Sequence, residues 1–344
     1  MKIIVLLAAL ATFVGSTGQE EGKNESLSEM KDMLHIEGGS FQMGDVFEEG
    51  VMFAAPIHEV TLSSYYLDRY EVTVEEFTVF VEETGYATSA ESKEQAADEC
   101  GKESCKGGDG KGDPLLATRG AHVLEPQKAP RWESKACWRN PLYEQSRRDP
   151  VTCVSWEDAA HYCNWLSARE GLPKAYDIEK GEWLDAKGNP TKDVTQTKGY
   201  RLPTEAEWEF AARERGKKIR FGNGKNVARS DEMNFDAAGK EEPYSEKGEC
   251  RGKTVPVGSF KPNALGLYDM AGNLWEWCSD YLCAYKKESQ KNPYQTEGLL
   301  AGSRRVARDG PWVGGSSLAR AAARYGWVAN DRCNNIGFRL ARSD

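Results

Sequence analysis

Histidine is scarce in this 344-residue chain: there are four, His35, His58, His122 and His161, and no two form a His-x-x-x-His pair. A non-haem iron centre that needs clustered imidazole donors is therefore disfavoured. No Cys-x-x-Cys occurs and no Cys/His group has zinc-site spacing, which argues against structural zinc. No Gly-x-Ser-x-Gly marks the nucleophile elbow of a hydrolase. Positive charge is in deficit, 45 Lys and Arg against 54 Asp and Glu for a net charge of −9, so a phosphate backbone would be repelled and no nucleic-acid partner is expected. Beyond Val14 no apolar run approaches the roughly 18 residues of a membrane-spanning helix, so no integral membrane segment is expected. No solenoid-type repeat is visible.

What is present starts with a short export pattern. Lys2 supplies positive charge, Ile3 to Val14 an apolar run too short to span a bilayer, and Gly15 to Gly18 a small-residue stretch suited to cleavage. Residues 1–18 read as a cleavable signal peptide and 19–34 as a polar segment, which implies a secreted or periplasmic protein. Nine cysteines follow, and in an oxidising compartment some should pair as disulfides. Nine is odd, so at least one stays free or pairs between chains. Cys100 and Cys105 are placed to staple a polar insertion, and the spacing leaves the other connectivities open.

Three helices are predicted from capping boxes. Thr73 with Glu76 opens one that carries Phe77, Phe80 and Val81 and stops at Gly85; Ser155 with Asp158 opens a second; Thr204 with Glu207 opens a third that carries Trp208. His58 to Leu62 alternates as a strand. Residues 88–130 and 170–198 are polar and turn-rich and read as two long surface loops. From Val255 onward short apolar runs broken by Gly, Asn and Pro give no long helix. The fold class is α+β with much irregular structure.

Several segments, in order, carry a family resemblance: Gly38 to Gly44; Tyr70 to Thr73; Pro150 to Trp156; Tyr200 to Glu209; Gly266 to Met270; Gly272 to Trp277; and Ile336 to Arg339. Together they resemble the formylglycine-generating enzymes, or sulfatase-modifying factors, whose fold is C-type-lectin-like. The resemblance implies one domain over 35–344 and, for an active member, a copper ion held by two cysteine thiolates that converts a sulfatase cysteine to formylglycine. Those ligands belong between Trp312 and Arg324, where this chain has no cysteine. One position falls near Ser316, and a hydroxyl cannot replace a soft thiolate for Cu(I). Copper is therefore not expected, and Cys333 nearby is a single thiol.

The resemblance also implies a structural Ca2+ at Gly272 to Trp277, where Asn273, the Leu274 carbonyl and Glu276 offer hard oxygen donors. A second calcium site, at Asn234 and Phe235, lacks its downstream acid. Two function classes follow. The first is a non-copper scaffold or binding member that recognises a protein or glycan ligand through Trp312, Arg320, Tyr325, Trp327, Asn330 and Arg332, since aromatic faces and guanidinium forks suit sugars, sulfates and carboxylates. Tyr325, Trp327 and Asn330 are the better contacts among these, while Trp312, Arg324 and Arg339 also read as interior scaffold. The second is a metal-dependent oxidase of sulfatase maturation, with a sulfatase as its partner.

Overall fold

Each predicted capping box forms with both of its hydrogen bonds. At helix α1 (Val74–Thr84), Glu76 N donates to Thr73 Oγ1 at 3.3 Å and Thr73 N returns a bond to Glu76 Oε2 at 2.8 Å. At α2 (Trp156–Arg169) the shorter Asp158 completes the same box, with 3.0 Å and 2.8 Å bonds to and from Ser155. At α3 (Glu205–Ala212) Thr204 and Glu207 do so at 3.1 Å and 2.8 Å. Such caps are worth about 1 kcal/mol each and fix where the chain turns into a helix. Gly85 ends α1 in the left-handed conformation, as expected.

The computed structural model describes residues 32–92, 119–239, 242–298 and 304–344. The expected signal peptide, most of the polar segment, and Cys100 with Cys105 lie outside the described residues. Strands β1 (Met33–Ile36), β2 (Gly39–Met43), β3 (His58–Leu62) and β4 (Tyr65–Asp68) precede α1, and β5 (Ala121–Val123) pairs with β6 (Arg131–Glu133) before α2. After α3 come β10 (Trp275–Tyr281), β11 (Gln290–Lys291), β12 (Arg304–Arg308), β13 (Arg324–Val328), β14 (Ile336–Gly337) and β15 (Ala341–Ser343). They assemble as small sheets: β13-β12-β10-β14, β1-β4-β15 and β11-β3-β2. Helices and short sheets are thus mixed irregularly, the expected α+β class.

The second insertion corrects the reading of 170–198 as a surface loop. It folds as a three-stranded antiparallel meander, β7 (Tyr176–Asp177), β8 (Glu182–Leu184) and β9 (Pro190–Thr191), followed by a 3-10 turn at Val194–Gln196. Trp183 and Val194 enter the main core, where Trp183 stacks on Tyr294 at 3.7 Å between ring centres. Strands of two and three residues are too short to show an alternating pattern.

The core has two main parts. One joins α1 and α2 to the C-terminal sheet through Phe77, Trp156, Tyr162, Trp277 and Phe338; the other packs Trp208 and Phe210 of α3 on Phe41, Val60 and Leu67. Backbones approach closely at Gly272, where φ is +88° and a Cβ would sit 2.4 Å from the Asn234 carbonyl oxygen. No larger residue fits there. Among the described residues no helix is long and apolar enough to cross a membrane.

Candidate functional site

The sheet β13-β12-β10-β14 positions the C-terminal candidates. Tyr325 pairs with Ala307 and Trp327 with Arg305 across β12, so the two aromatic residues, two apart on β13, share one face. Trp275, at the start of β10, joins them: its ring lies 5.9 Å from Tyr325, which lies 5.2 Å from Trp327. Tyr325 is 43% exposed, and Trp275 and Trp327 back it. The Trp327 indole N–H is shielded from solvent and has no acceptor among the described residues. Uncompensated buried donors are rare and often accompany a function.

On the opposite face of β13 the sequence places charge in the interior. Arg324 donates to both oxygens of Glu205 at 2.6 Å, and Arg308 donates to Glu205 and Glu209 at 2.8 Å each. Burial by itself would raise the Glu205 carboxyl, but Arg324 and Arg308 hold it below its ordinary range. The first turn of α3 is thereby clamped under β12 and β13, which fixes the plane on which Tyr325 stands.

The other candidates separate. Trp312 is fully buried, edge-on to Tyr143 at 5.7 Å, and its indole N–H points to the Asn334 carbonyl at 3.4 Å. Arg332 is buried as well and donates to the Gly120 carbonyl and to Asn330. Both hold the scaffold in place. Arg320 belongs to a different group, donating to the Ser317 carbonyl and to Glu49, which also takes Arg220. Asn330 is half-buried beside Arg332. Tyr325 and Trp327 remain together at the surface, with the buried Trp275 behind them. Sequence reasoning passed over Trp275 because its motif pointed to calcium, although an aromatic residue on either side of Glu276 signals a second role.

The donors expected for calcium are engaged elsewhere. Asn273 Oδ1 accepts from Asn234 Nδ2 at 3.1 Å and Val255 N at 3.0 Å, while its Nδ2 donates to Glu71. Glu276 takes Arg339 on both oxygens, at 2.6 and 2.7 Å, and the Trp208 indole at 2.8 Å. As arranged, these side chains do not present a calcium shell. Around them Glu71, Asp269, Glu276 and Asp309 are buried near the single guanidinium of Arg339. Burial, then like charge from neighbouring carboxylates, raises Glu71 and Asp309 well above the usual range. Burial also pushes Asp269 up to about 6.

The donor set does not fit copper either. Ser316 is buried with its hydroxyl unpartnered, and no thiol lies between Trp312 and Arg324. Among the described residues no three His, Cys, Asp or Glu side chains converge as a metal ion requires. The seven described cysteines are free thiols, so the expected disulfides are not formed among them.

The comparisons with known proteins agree with this architecture. A family model, described as sulfatase-modifying factor enzyme 1-like domain, matches residues 18–344. The chain is 30% identical to a formylglycine-generating enzyme of Streptomyces coelicolor, over 90% of this chain and 89% of that one. It is 29% identical to the inactive C-alpha-formylglycine-generating enzyme 2 of Mus musculus, over 90% and 85% respectively. The solved structure of PvdO from Pseudomonas aeruginosa superposes with a TM-score of 0.58 at 24% identity, covering 91% of this chain and 94% of that one, which shows a shared fold.

Proposed function

Because the chain belongs to the sulfatase-modifying factor family, we propose that it is an exported, ligand-binding member that works without copper chemistry. The observation that carries this reading is the Trp275-Tyr325-Trp327 group: the exposed Tyr325 ring on a rigid sheet, backed by the partly buried Trp327 and the buried Trp275, with Arg324 locked beneath it. A surface of this kind binds by stacking and by hydrogen bonds from a tyrosine hydroxyl, which suits a protein loop or a glycan. The thiolate-free stretch from Trp312 to Arg324 supports the absence of copper. Residues 1–18 support export, with a mature chain that begins near Gln19.

A second reading, an oxidase that matures a sulfatase, is favoured by the likeness to the Streptomyces enzyme. One experiment separates the two. The purified mature protein is assayed for bound redox metal and for oxygen uptake with a cysteine-containing sulfatase peptide and a thiol reductant, and in parallel is screened on glycan and protein arrays. Binding that is lost in Tyr325→Ala, without oxygen uptake, supports the binding reading. Turnover of the peptide, or hits indifferent to Tyr325→Ala, overturns it.

A further inference from the structure

Three thiols that no part of the proposed function uses meet under the C-terminal segment. Cys153 N donates to the Cys333 carbonyl at 2.8 Å, and both residues are buried. The bond sets the two residues side by side, and the Cys153 thiol lies close enough to Cys333 for their like charges to act on each other, the proximity that a disulfide requires. Cys153 also packs with Ala136, Ala121 and Val123, which brings it beside Cys137, the half-buried member of the group. The surroundings are firmly tied: Tyr143 Oη donates to the Asn334 carbonyl at 2.9 Å, and Asn334 Nδ2 donates to the Leu124 and Pro141 carbonyls. Cys153 holds a φ of +57°, a conformation uncommon for a residue with a side chain.

We propose that Cys137, Cys153 and Cys333 form a thiol relay that ends in a Cys153–Cys333 disulfide. The oxidant is a small-molecule disulfide. Cys137, the reachable thiol, attacks it as the thiolate and expels one thiol, leaving a mixed disulfide. Cys153 loses its proton, attacks Cys137 Sγ and expels the second thiol. Cys333 loses its proton, attacks Cys153 Sγ and returns Cys137 to the thiolate. In sum two protein thiols are oxidised, and their two protons pass to the two expelled thiolates, so the external disulfide is reduced to two thiols. Burial raises the Cys153 and Cys333 thiols, which makes both poor direct targets for the oxidant and gives the half-buried Cys137 its use as the entry thiol. The product ties the middle of the chain to the segment that follows Trp327 and Asn330.

The test uses the full mature chain, reduced and then exposed to oxidised glutathione, quenched in acid, alkylated in denaturant and mapped by mass spectrometry. The expected result is a linked peptide joining Cys153 to Cys333 with Cys137 alkylated, and the same peptide forming at least tenfold more slowly in Cys137→Ser. Full alkylation of Cys153 and Cys333, a link from either to another cysteine such as Cys100 or Cys105, or an unchanged rate in Cys137→Ser overturns the relay.

Discussion

Arg324 holds Glu205 in a two-pronged grip across 119 residues of sequence, both bonds 2.6 Å long and both side chains out of solvent. Arg308 shares the same carboxylate, so Glu205 compensates two buried cations. Glu205→Gln leaves Arg324 without its carboxylate and Arg308 with Glu209 alone, and is expected to cost about 3–5 kcal/mol of unfolding free energy. Urea unfolding with an unchanged slope measures it. A loss under about 1 kcal/mol would show that the clamp is dispensable.

Tyr325 and Trp312 are both aromatic residues of the candidate segment, yet they should behave oppositely. Tyr325→Ala removes an exposed ring and is expected to change stability by less than about 0.5 kcal/mol. Its effect on array-identified ligands should be a loss of roughly tenfold or more in affinity, the usual size for an aromatic contact worth over 1 kcal/mol. Trp312→Ala empties a fully buried site and should destabilise by about 3–5 kcal/mol. Thermal unfolding alongside binding isotherms on both variants separates contact from scaffold.

Stability should fall as pH rises from the acid side toward neutrality. Burial lifts the Asp269 carboxyl to about 6 and that of Asp280 to about 7, the latter even though it accepts from Glu205 N and Gln295 N. Between the ordinary carboxylate range near 3.9 and these values the native state binds more protons than the unfolded one, so the unfolding free energy declines with pH. Glu205, held low by its arginines, acts with the opposite sign: its contribution is present above the ordinary range and is lost as pH falls. Unfolding midpoints from pH 3 to 8 should therefore peak on the acid side of neutral. Asp280→Asn should flatten the decline, and an equally steep decline in that variant would assign it to other groups.

Chelation should leave the unfolding midpoint unchanged. Asn273 and Glu276 already spend their oxygens on Val255, Asn234, Arg339 and Trp208, so added Ca2+ finds no ready shell there. Scanning calorimetry with EDTA and then with millimolar Ca2+ measures this. A midpoint that climbs with the calcium concentration would mean that the ion binds the native state and rearranges those bonds.

Local signals were the legible ones. The boxes at Thr73, Ser155 and Thr204 and the alternation from His58 to Leu62 depend on residues three or two apart, and each element formed where its own sequence placed it. What sequence could not show depended on distance. Trp183 sits in a stretch as polar as a surface loop, and its stacking on Tyr294, 111 residues later, and on the main core makes it interior. Asn273 and Glu276 have the spacing of metal donors, but Glu71, some two hundred residues earlier, and Arg339, 63 residues later, claim them. Trp312 offers an aromatic face whose direction is decided by Tyr143 and Asn334. No window of sequence holds that information.

The sheet β1-β4-β15 has a consequence for how the protein comes into being. Leu67 of β4 lies between Leu34 of the first strand and Ala341 of the last, and Ala341 also exchanges backbone bonds with Arg201. The seam is closed by residues made long after β1 and β4, and so is the Arg339–Glu276 pair. A nascent chain short of these residues has an open edge and an uncompensated acid in its interior, so the domain cannot lock until they have been added.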